Sequence, residues 1–539
     1  MTGPRIPEQD LPNIKSKAVA DQAADLRVVR DIAAGSRRLR ERSTEYLPQH
    51  PAEEAKNYQI RLKRPTFFNA FRKTIEGLVG MVFRVNPQLG EDVPAVIQQH
   101  WENIDKEGTH GDVFCRQLLD DGLEAGHAAI LVDYPALQNP KGVTLYDERK
   151  QDIRPYWVHI HKEDIINFRT IRGPSGERIL QQVTLRFTTH EAHGRFGDRV
   201  VVRYRVYRLV PVDGAVTVQW ETWEEDESGT PRVSGPSGTI AKLERIPLVP
   251  VYGKADGYLT STPPLLDLAY RNLLHYQTNS DYFEGLYMGL VPVAVFTGIE
   301  AGQAAIGPHS AVYLPTGASF GYEETSGNSF GAARQALEDL KGEMAVLGLA
   351  LLQADTRAAE TAASKRLDKA EKDSALSVAA RGLQDAIEAA LAFHAQYLGL
   401  ADGGSVKVNR DFLGEPLDGP TITALSTVVA KGQLSLETMW AKLADNQWLP
   451  EDFDAEVEKQ RLKDEGSLPV AGQPPAPDGT QPPQLQVVAQ GNPYRVVTDG
   501  AQFCVVKSDT GERLKCYPTK EAAMAYFKAL EANVPDAHA

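Results

Sequence analysis

The sequence predicts an α+β fold in which helical and β-rich segments alternate, on three observations. Apolar residues recur at spacings of three and four over long stretches, as they do along one face of a helix. β-Branched and aromatic residues crowd into residues 179–223. Gly-, Ser- and Pro-rich punctuation separates the two kinds of segment. At 539 residues the chain exceeds the size at which a single hydrophobic core stops growing, so about three or four folding units are expected.

Taken in order, residues 14–45 are polar and helix-prone, rich in Ala, Arg, Asp and Glu, and read as an exposed or partner-facing helix. A second helix over 67–83 places Phe68, Phe71, Ile75, Leu78 and Val82 on one face, which should be buried. Helices follow at 93–104 and 112–125, the latter ending at Gly126, a residue suited to a left-handed cap. Residues 129–132 and 156–160 read as strands, then 182–187, 200–210 and 216–223 as an antiparallel sheet. Residues 228–238 read as a long loop or hairpin end, the Gly-Pro-Ser-Gly tetrapeptides at Gly173 and Gly235 as turns, and 247–251 as an extended return.

The central segment carries the most regular pattern. After Pro263 and Pro264, the residues Leu266, Ala269, Leu273, Tyr276, Ser280, Phe283, Tyr287 and Leu290 alternate spacings of three and four; Phe330, Ala333, Leu337, Leu340, Met344, Leu347 and Leu351 repeat the pattern. Each helix thus carries a narrow seam suited to nearly parallel packing against another helix. On pattern alone that partner is within the chain. Between the helices lies a β-rich insert at 293–296, 311–314 and 320–323.

Residues 354–373 have helical composition but little apolar surface, and Leu376, Ala380, Leu383, Ile387, Leu391, His394 and Leu398 line one face of the helix that follows. Residues 420–462 are helical again, with Trp440, Leu443 and Trp448 supplying large apolar surface; 466–493 is a Pro-, Gly- and Gln-rich linker. A last unit follows as strands at 494–497, 503–507 and 514–517, then a helix over 520–530 capped by Thr519.

Composition narrows the function. With 42% hydrophobic and 24% charged residues the chain is an ordinary folded protein. A formal net charge of −14 disfavours a protein that grips phosphate backbones, although an acidic wall suits a channel through which DNA must slide. The start of the chain lacks a secretory apolar core, and no run of about 18 apolar residues is long enough to span a bilayer, so a cytoplasmic protein without membrane contact is expected. The three cysteines are too few for a disulfide scaffold. Cys504 and Cys516 would face one another across a hairpin turning at 509–511, and two reduced thiols are expected there rather than a bridge.

Motifs for bond chemistry are missing. There is no phosphate-cradling loop with Lys-Ser/Thr, no Gly-x-Gly-x-x-Gly, no Gly-x-Ser-x-Gly and no His-Glu-x-x-His. No enzyme and no cofactor are expected. His159 and His161, beside Glu163 and Asp164, would share one face of a strand as metal ligands can, but without further ligands at definite spacing they read as an exposed pair. His190, Glu191 and His193, in a Gly- and Arg-rich stretch, read the same way.

Two stretches carry a resemblance. Arg64-Pro65-Thr66-Phe67-Phe68-Asn69 with the Gly77–Phe83 segment, and the run from Asp121 to Asp133, are similar to the N-terminal half of tailed-bacteriophage portal proteins; Ile246-Pro247-Leu248-Val249-Pro250, the seam helices, the insert and Glu360-Thr361-Ala362 resemble that family's continuation. The resemblance covers roughly residues 61–462. It implies a mixed wing (1–261), a first stem helix (262–290), a clip (291–328), a second stem helix (329–352), a tunnel loop (353–361), a wing or channel helix (362–419) and a crown (420–465). The linker (466–493) and a ββα module (494–539) lie beyond it.

By the same resemblance the chain is a ring subunit, with a dodecamer expected, at a capsid vertex of the virion, assembled in the host cytoplasm. It would dock the large terminase subunit, head-completion or adaptor proteins and capsid proteins, and pass double-stranded DNA without sequence specificity. Gln353, Asp355, Arg357 and Glu360 would face the DNA; Val293, Phe296, Tyr313, Phe320 and Tyr322 would dock partners. Arg357 is equally placed to pair with Asp355 or Glu360. The rival readings are a metal-dependent DNA-processing enzyme, and a virion scaffold or connector that conducts nothing.

Overall fold

The computed structural model describes residues 7, 10–135, 151–212, 215–226, 228–240, 242–290, 293–298, 314–323, 328–352, 374–410, 412, 419–445, 448–449, 453–464, 494–499, 502–507 and 513–531. They form two compact units, 1–416 and 417–539, built of mixed helix and strand.

The first unit opens with α1 (Lys17–Ala20), α2 (Ala23–Ala33) and α3 (Ser36–Arg42). The single exposed helix expected over 14–45 is corrected on both counts. Gly35 adopts φ +79 between α2 and α3, a conformation that breaks a helix, and Leu26, Val29, Ile32 and Leu39 are buried in the main core. Next come α4 (Ala55–Lys63) and α5 (Ala70–Val82), whose N-cap Asn69 accepts a hydrogen bond from the Arg72 amide. Phe71, Ile75, Leu78 and Val82 are buried as their spacing requires, while Phe68 is exposed.

β1 (Gln88–Leu89), α6 (Ala95–Trp101) and α7 (Gly111–Ala125) precede the central strand β2 (His127–Asp133). β3 (Tyr156–Ile160) pairs with β2 on one side. The chain then builds a five-stranded antiparallel meander in sequential order, from β4 (Ile165–Arg172), β5 (Arg178–His193), β6 (Gly197–Val212), β7 (Ala215–Glu225) and β8 (Pro231–Ile240). β9 (Leu248–Tyr252) returns to pair with the other side of β2. The segment expected as a loop at 228–238 is mostly β8. Gly235, at φ +90, sits opposite a register shift between Glu221 and Trp223, so the bulge absorbs the Gly-Pro-Ser-Gly sequence that reads locally as a turn. At Gly173 the turn forms as expected.

After β9 come α8 (Leu266–Leu290), β10 (Val293–Thr297), β11 (Ser319–Glu323), α9 (Asn328–Leu349), α10 (Ala375–Leu398) and β12 (Val406–Lys407), which pairs with β1. α7 and α10 both pack on β2, and Ala128 to Val132 have no exposed surface. Leu376, Ala380, Leu383, Ile387, Leu391 and His394 form the buried stripe of α10, and Gly399 caps it in the left-handed conformation.

The second unit contains α11 (Gly419–Ala430), α12 (Leu436–Asp445) and α13 (Ala455–Asp464), then β13 (Tyr494–Asp499), β14 (Gln502–Lys507), β15 (Arg513–Tyr517) and α14 (Lys520–Glu531). Trp440 is buried; Trp448 is exposed. The three strands form one antiparallel sheet against which α14 packs, with the Thr519 hydroxyl accepting from the Ala522 amide. Cys504 and Cys516 are register partners, as expected, and are joined as a disulfide rather than left as thiols, with their Cα atoms 3.9 Å apart. The linker lies outside the described residues.

Candidate functional site

The feature that stands apart is the helix pair α8 and α9 with the two-stranded hairpin between them. Arg271 near the start of α8 pairs with Glu343 near the end of α9 at 3.3 Å. At the other end, a Cβ on Gly285 would lie 3.1 Å from the Phe330 ring, so the glycine lets the backbones close. The helices are therefore antiparallel. Leu337, Leu340 and Met344 of the α9 seam are buried by this packing. The α9 seam, and that of α8 as far as Ser280, thus serve contacts within the chain, as the pattern alone indicates.

α8 is anchored over its first half. Asn272 is fully buried, donating to the Phe68 carbonyl at 2.7 Å and accepting from the Phe71 amide at 3.0 Å, which ties α8 to the start of α5. Gln277 donates to the Tyr46 carbonyl, and Arg64 meets both Glu284 and the face of the Tyr287 ring. Past Ser280 the shielding thins.

Tyr270 and Leu274 are 47% and 40% exposed, and Phe283 and Tyr287 are 40% and 56% exposed. At about 100° per residue, Phe283 and Tyr287 lie roughly 140° and 100° round the helix from Tyr270 on the side away from Leu274, so the two uncovered pairs point about 140° apart and form separate patches. α9 adds Val346 and Leu349, both exposed.

In the hairpin, Phe296 is the register partner of Phe320, with ring centroids 4.7 Å apart, and Tyr322 stacks edge-on to Phe320 at 5.0 Å. One face of this small sheet is thus aromatic, and Phe320 and Tyr322 are exposed. A lone two-stranded sheet is marginal in water without a partner surface. Val293 pairs by backbone with Glu323. Tyr313, and the expected DNA-facing Gln353, Asp355, Arg357 and Glu360, lie outside the described residues.

A second constellation lies in the body, and sequence reasoning saw only half of it. His159 Nε2 and His161 Nδ1 converge on one oxygen of Asp121, at 2.9 and 2.7 Å; the other oxygen accepts from Arg30 at 2.5 Å. Arg30 also reaches Glu124 and Glu163, each at 2.8 Å. Asp121 lies 38 residues before His159 on α7, in step with buried Phe114, Leu118 and Ala125, so an acid at an apolar-periodic position was the available signal. Burial would raise the Asp121 carboxyl, but the two imidazoles and the Arg30 charge outweigh it and hold it well below the usual range. Glu163 touches the Arg30 guanidinium and Asp164 pairs with Arg186, so neither reaches the histidines' shared oxygen. His190 pairs with Asp198 on the exposed end of the meander.

Behind this knot Lys162 is buried without a carboxylate partner among the described residues, donating to the carbonyls of Ala125 and Ser261 and to the Ser261 hydroxyl; burial lowers its pKa to about 8. Ser261 also meets His127 Nδ1 at 2.7 Å, and burial, with the Lys162 charge, lowers that imidazole to about 3. Gly126 permits this junction: its φ is +99, and a Cβ would fall 2.5 Å from the Ser261 hydroxyl. A cleft of about 570 Å³, lined among others by Arg27, Arg30, His127, Lys162 and Glu163, opens alongside.

Comparison with known proteins touches the helix pair. Residues 264–398 match a domain of unknown function, DUF4055, a span that takes in α8, the hairpin, α9 and α10. No curated protein matches the chain. Among solved structures, the neck of an empty GTA particle computed with C6 symmetry is similar at 12% identity, covering 73% of this chain and 89% of that one, with a TM-score of 0.33. The virion of the native gene transfer agent particle is similar at 11% identity, 74% and 90% coverage and a TM-score of 0.32. The neck of the native particle computed with C12 symmetry gives 12%, 71%, 90% and 0.34.

Proposed function

We propose that the chain is a portal subunit, assembling as a ring at one capsid vertex through which viral DNA is packaged and later leaves. The observation that carries this reading is the apolar surface that one chain leaves uncovered in two separate patches on α8, together with the aromatic face of the hairpin. A closed ring joins each copy to its neighbours through two different patches, which is what Tyr270 with Leu274 on one side, and Phe283 with Tyr287 on the other, supply. A twofold dimer would bury one self-complementary patch and leave the second bare.

On this reading α8 and α9 are the stem, residues 291–328 the clip that docks the terminase motor and afterwards the neck proteins, 353–361 the loop facing DNA, and 420–465 the crown. The work is steric and electrostatic: a net charge of −14 keeps DNA from adhering to the wall, and no bond is made or broken. Among the described residues no helix is long and apolar enough to cross a membrane. Negative-stain imaging of the purified full chain, with its mass by sedimentation velocity, tests the proposal. A ring with an axial hole is expected; a monomer or dimer at all concentrations refutes it.

A further inference from the structure

We propose that Asp121, His159 and His161 form a binding site for one divalent transition-metal ion of the zinc class, clamping α7 to β3. The site is independent of the ring reading. One potential ligand atom from each residue lies within 4.8 Å of the others, and no other trio of His, Cys, Asp or Glu among the described residues meets that condition. The donors are chemically matched to such an ion: two imidazole nitrogens and one carboxylate oxygen suit zinc, cobalt or nickel, whereas calcium and magnesium take all-oxygen shells.

The geometry is close to the bound one. Zinc holds nitrogen at about 2.0–2.1 Å and oxygen at about 2.0–2.2 Å, so tetrahedral ligand atoms stand about 3.3 Å apart. Here the imidazole nitrogens stand 2.9 and 2.7 Å from the Asp121 oxygen, and each separation needs to open by about half an ångström. His161 has the freedom to do so, since its side chain is 48% exposed while Asp121 is 5% exposed. The fourth position is left to water reaching the exposed edge of His161.

Two features of the surroundings favour the ion. His159 lies in β3, which is paired to β2, and His161 follows one residue past the strand's end with a still extended backbone, so the two side chains emerge on one side and their nitrogens converge on Asp121. Arg30 bonds the far oxygen of Asp121 and so orients the ligand, as outer partners of metal-bound carboxylates do. Its charge does not exclude a cation, because it is shared among Asp121, Glu124 and Glu163; with Arg72 bridging Glu124 and Asp120, four carboxylates stand against two guanidiniums.

The test is cobalt titration of the untagged full chain after chelation and dialysis, followed by visible absorption and equilibrium dialysis. One equivalent of cobalt per chain is expected, with the d–d bands of a four-coordinate site and displacement by zinc. His161→Gln and His159→Gln each lower the affinity by on the order of tenfold or more. His161→Gln is the cleaner variant because that side chain is half exposed, and its unchanged metal-free melting curve confirms that the fold is intact. Cobalt binding of equal affinity in wild type and His161→Gln, or no saturable equivalent in the wild type, overturns the proposal.

Discussion

The two halves of α8 follow one spacing rule and end in different surroundings. From Leu266 to Ser280 the seam is held against α2, α4 and α5, with Ala269, Tyr276 and Ser280 buried and Asn272 bonded at both ends of its amide. From Asp281 to Leu290 the same alternation of three and four delivers Phe283 and Tyr287 to the surface. An apolar period reports only that a face will be covered. Whether the cover comes from the same chain or from another copy depends on what the rest of the fold places beside it, and beyond Ser280 the body places little.

Substitutions in each half should therefore fail differently. The largest effect is expected from Phe283→Glu with Tyr287→Glu: assembly is lost by sedimentation velocity, while the melting temperature of the single chain changes little, since exposed positions carry about 0.5 kcal/mol or less each. If the double variant still forms the large species, the exposed half is not an interface. Asn272→Leu should reverse the pattern. It leaves the Phe71 amide buried without its acceptor, while the Phe68 carbonyl keeps the Ala70 amide, costing about 1–3 kcal/mol by chemical denaturation, whatever the assembly state.

Cys504→Ala with Cys516→Ala serves as a control outside the comparison. It should weaken the ββα module by about 2–3 kcal/mol by removing a cross-link between residues 12 apart, and leave the unfolding of α8 untouched in hydrogen exchange. A shift in α8 protection would show that the two units do not unfold separately.

The smallest effect is a pH dependence of the buried half. Burial, reinforced by the Lys341 charge, lowers the His275 pKa from its ordinary 6.5. The unfolded chain then takes up a proton before the folded one, so this contribution to stability is complete above pH 6.5 and declines as pH falls below it. His275→Leu should flatten the melting temperature between pH 6.5 and 5 by about 2–4 °C relative to wild type; an unchanged slope assigns the acid sensitivity elsewhere.

Much of the fold was legible because local and tertiary preferences agree. The α5 face, the β2 core, the meander strands, the α9 seam and the α10 stripe all fall where periodicity puts them. The failures are places where a distant partner overrides a local signal. Gly235-Pro236-Ser237-Gly238 reads as a turn, yet pairing with β7 draws it into a strand through a bulge. Residues 14–45 look too polar to have a core face, but breaking the helix at Gly35 lets four apolar side chains reach one.

The site was half legible for the same reason. His159 and His161 announce themselves by their spacing, whereas Asp121 becomes their partner only when α7 lies across β3. The aromatics of the hairpin were visible as residue types; that Phe296, Phe320 and Tyr322 share one face follows from the register, which no single strand encodes.

The order in which β2 finds its neighbours has a consequence for synthesis. β3 emerges soon after β2, but β9, which closes the other edge, begins about 115 residues after β2 ends, with the whole meander between them. At 5–20 residues per second, that edge waits roughly 6–23 s on the ribosome. During the wait the most apolar strand of the body, Ala128 to Val132, has one row of amides and carbonyls unpaired, an open template for another nascent chain. The meander, whose contacts are local, can fold meanwhile. Translation that stops before Leu248 should therefore yield aggregates rather than a soluble fragment, and expression conditions that slow elongation should lengthen the same exposure.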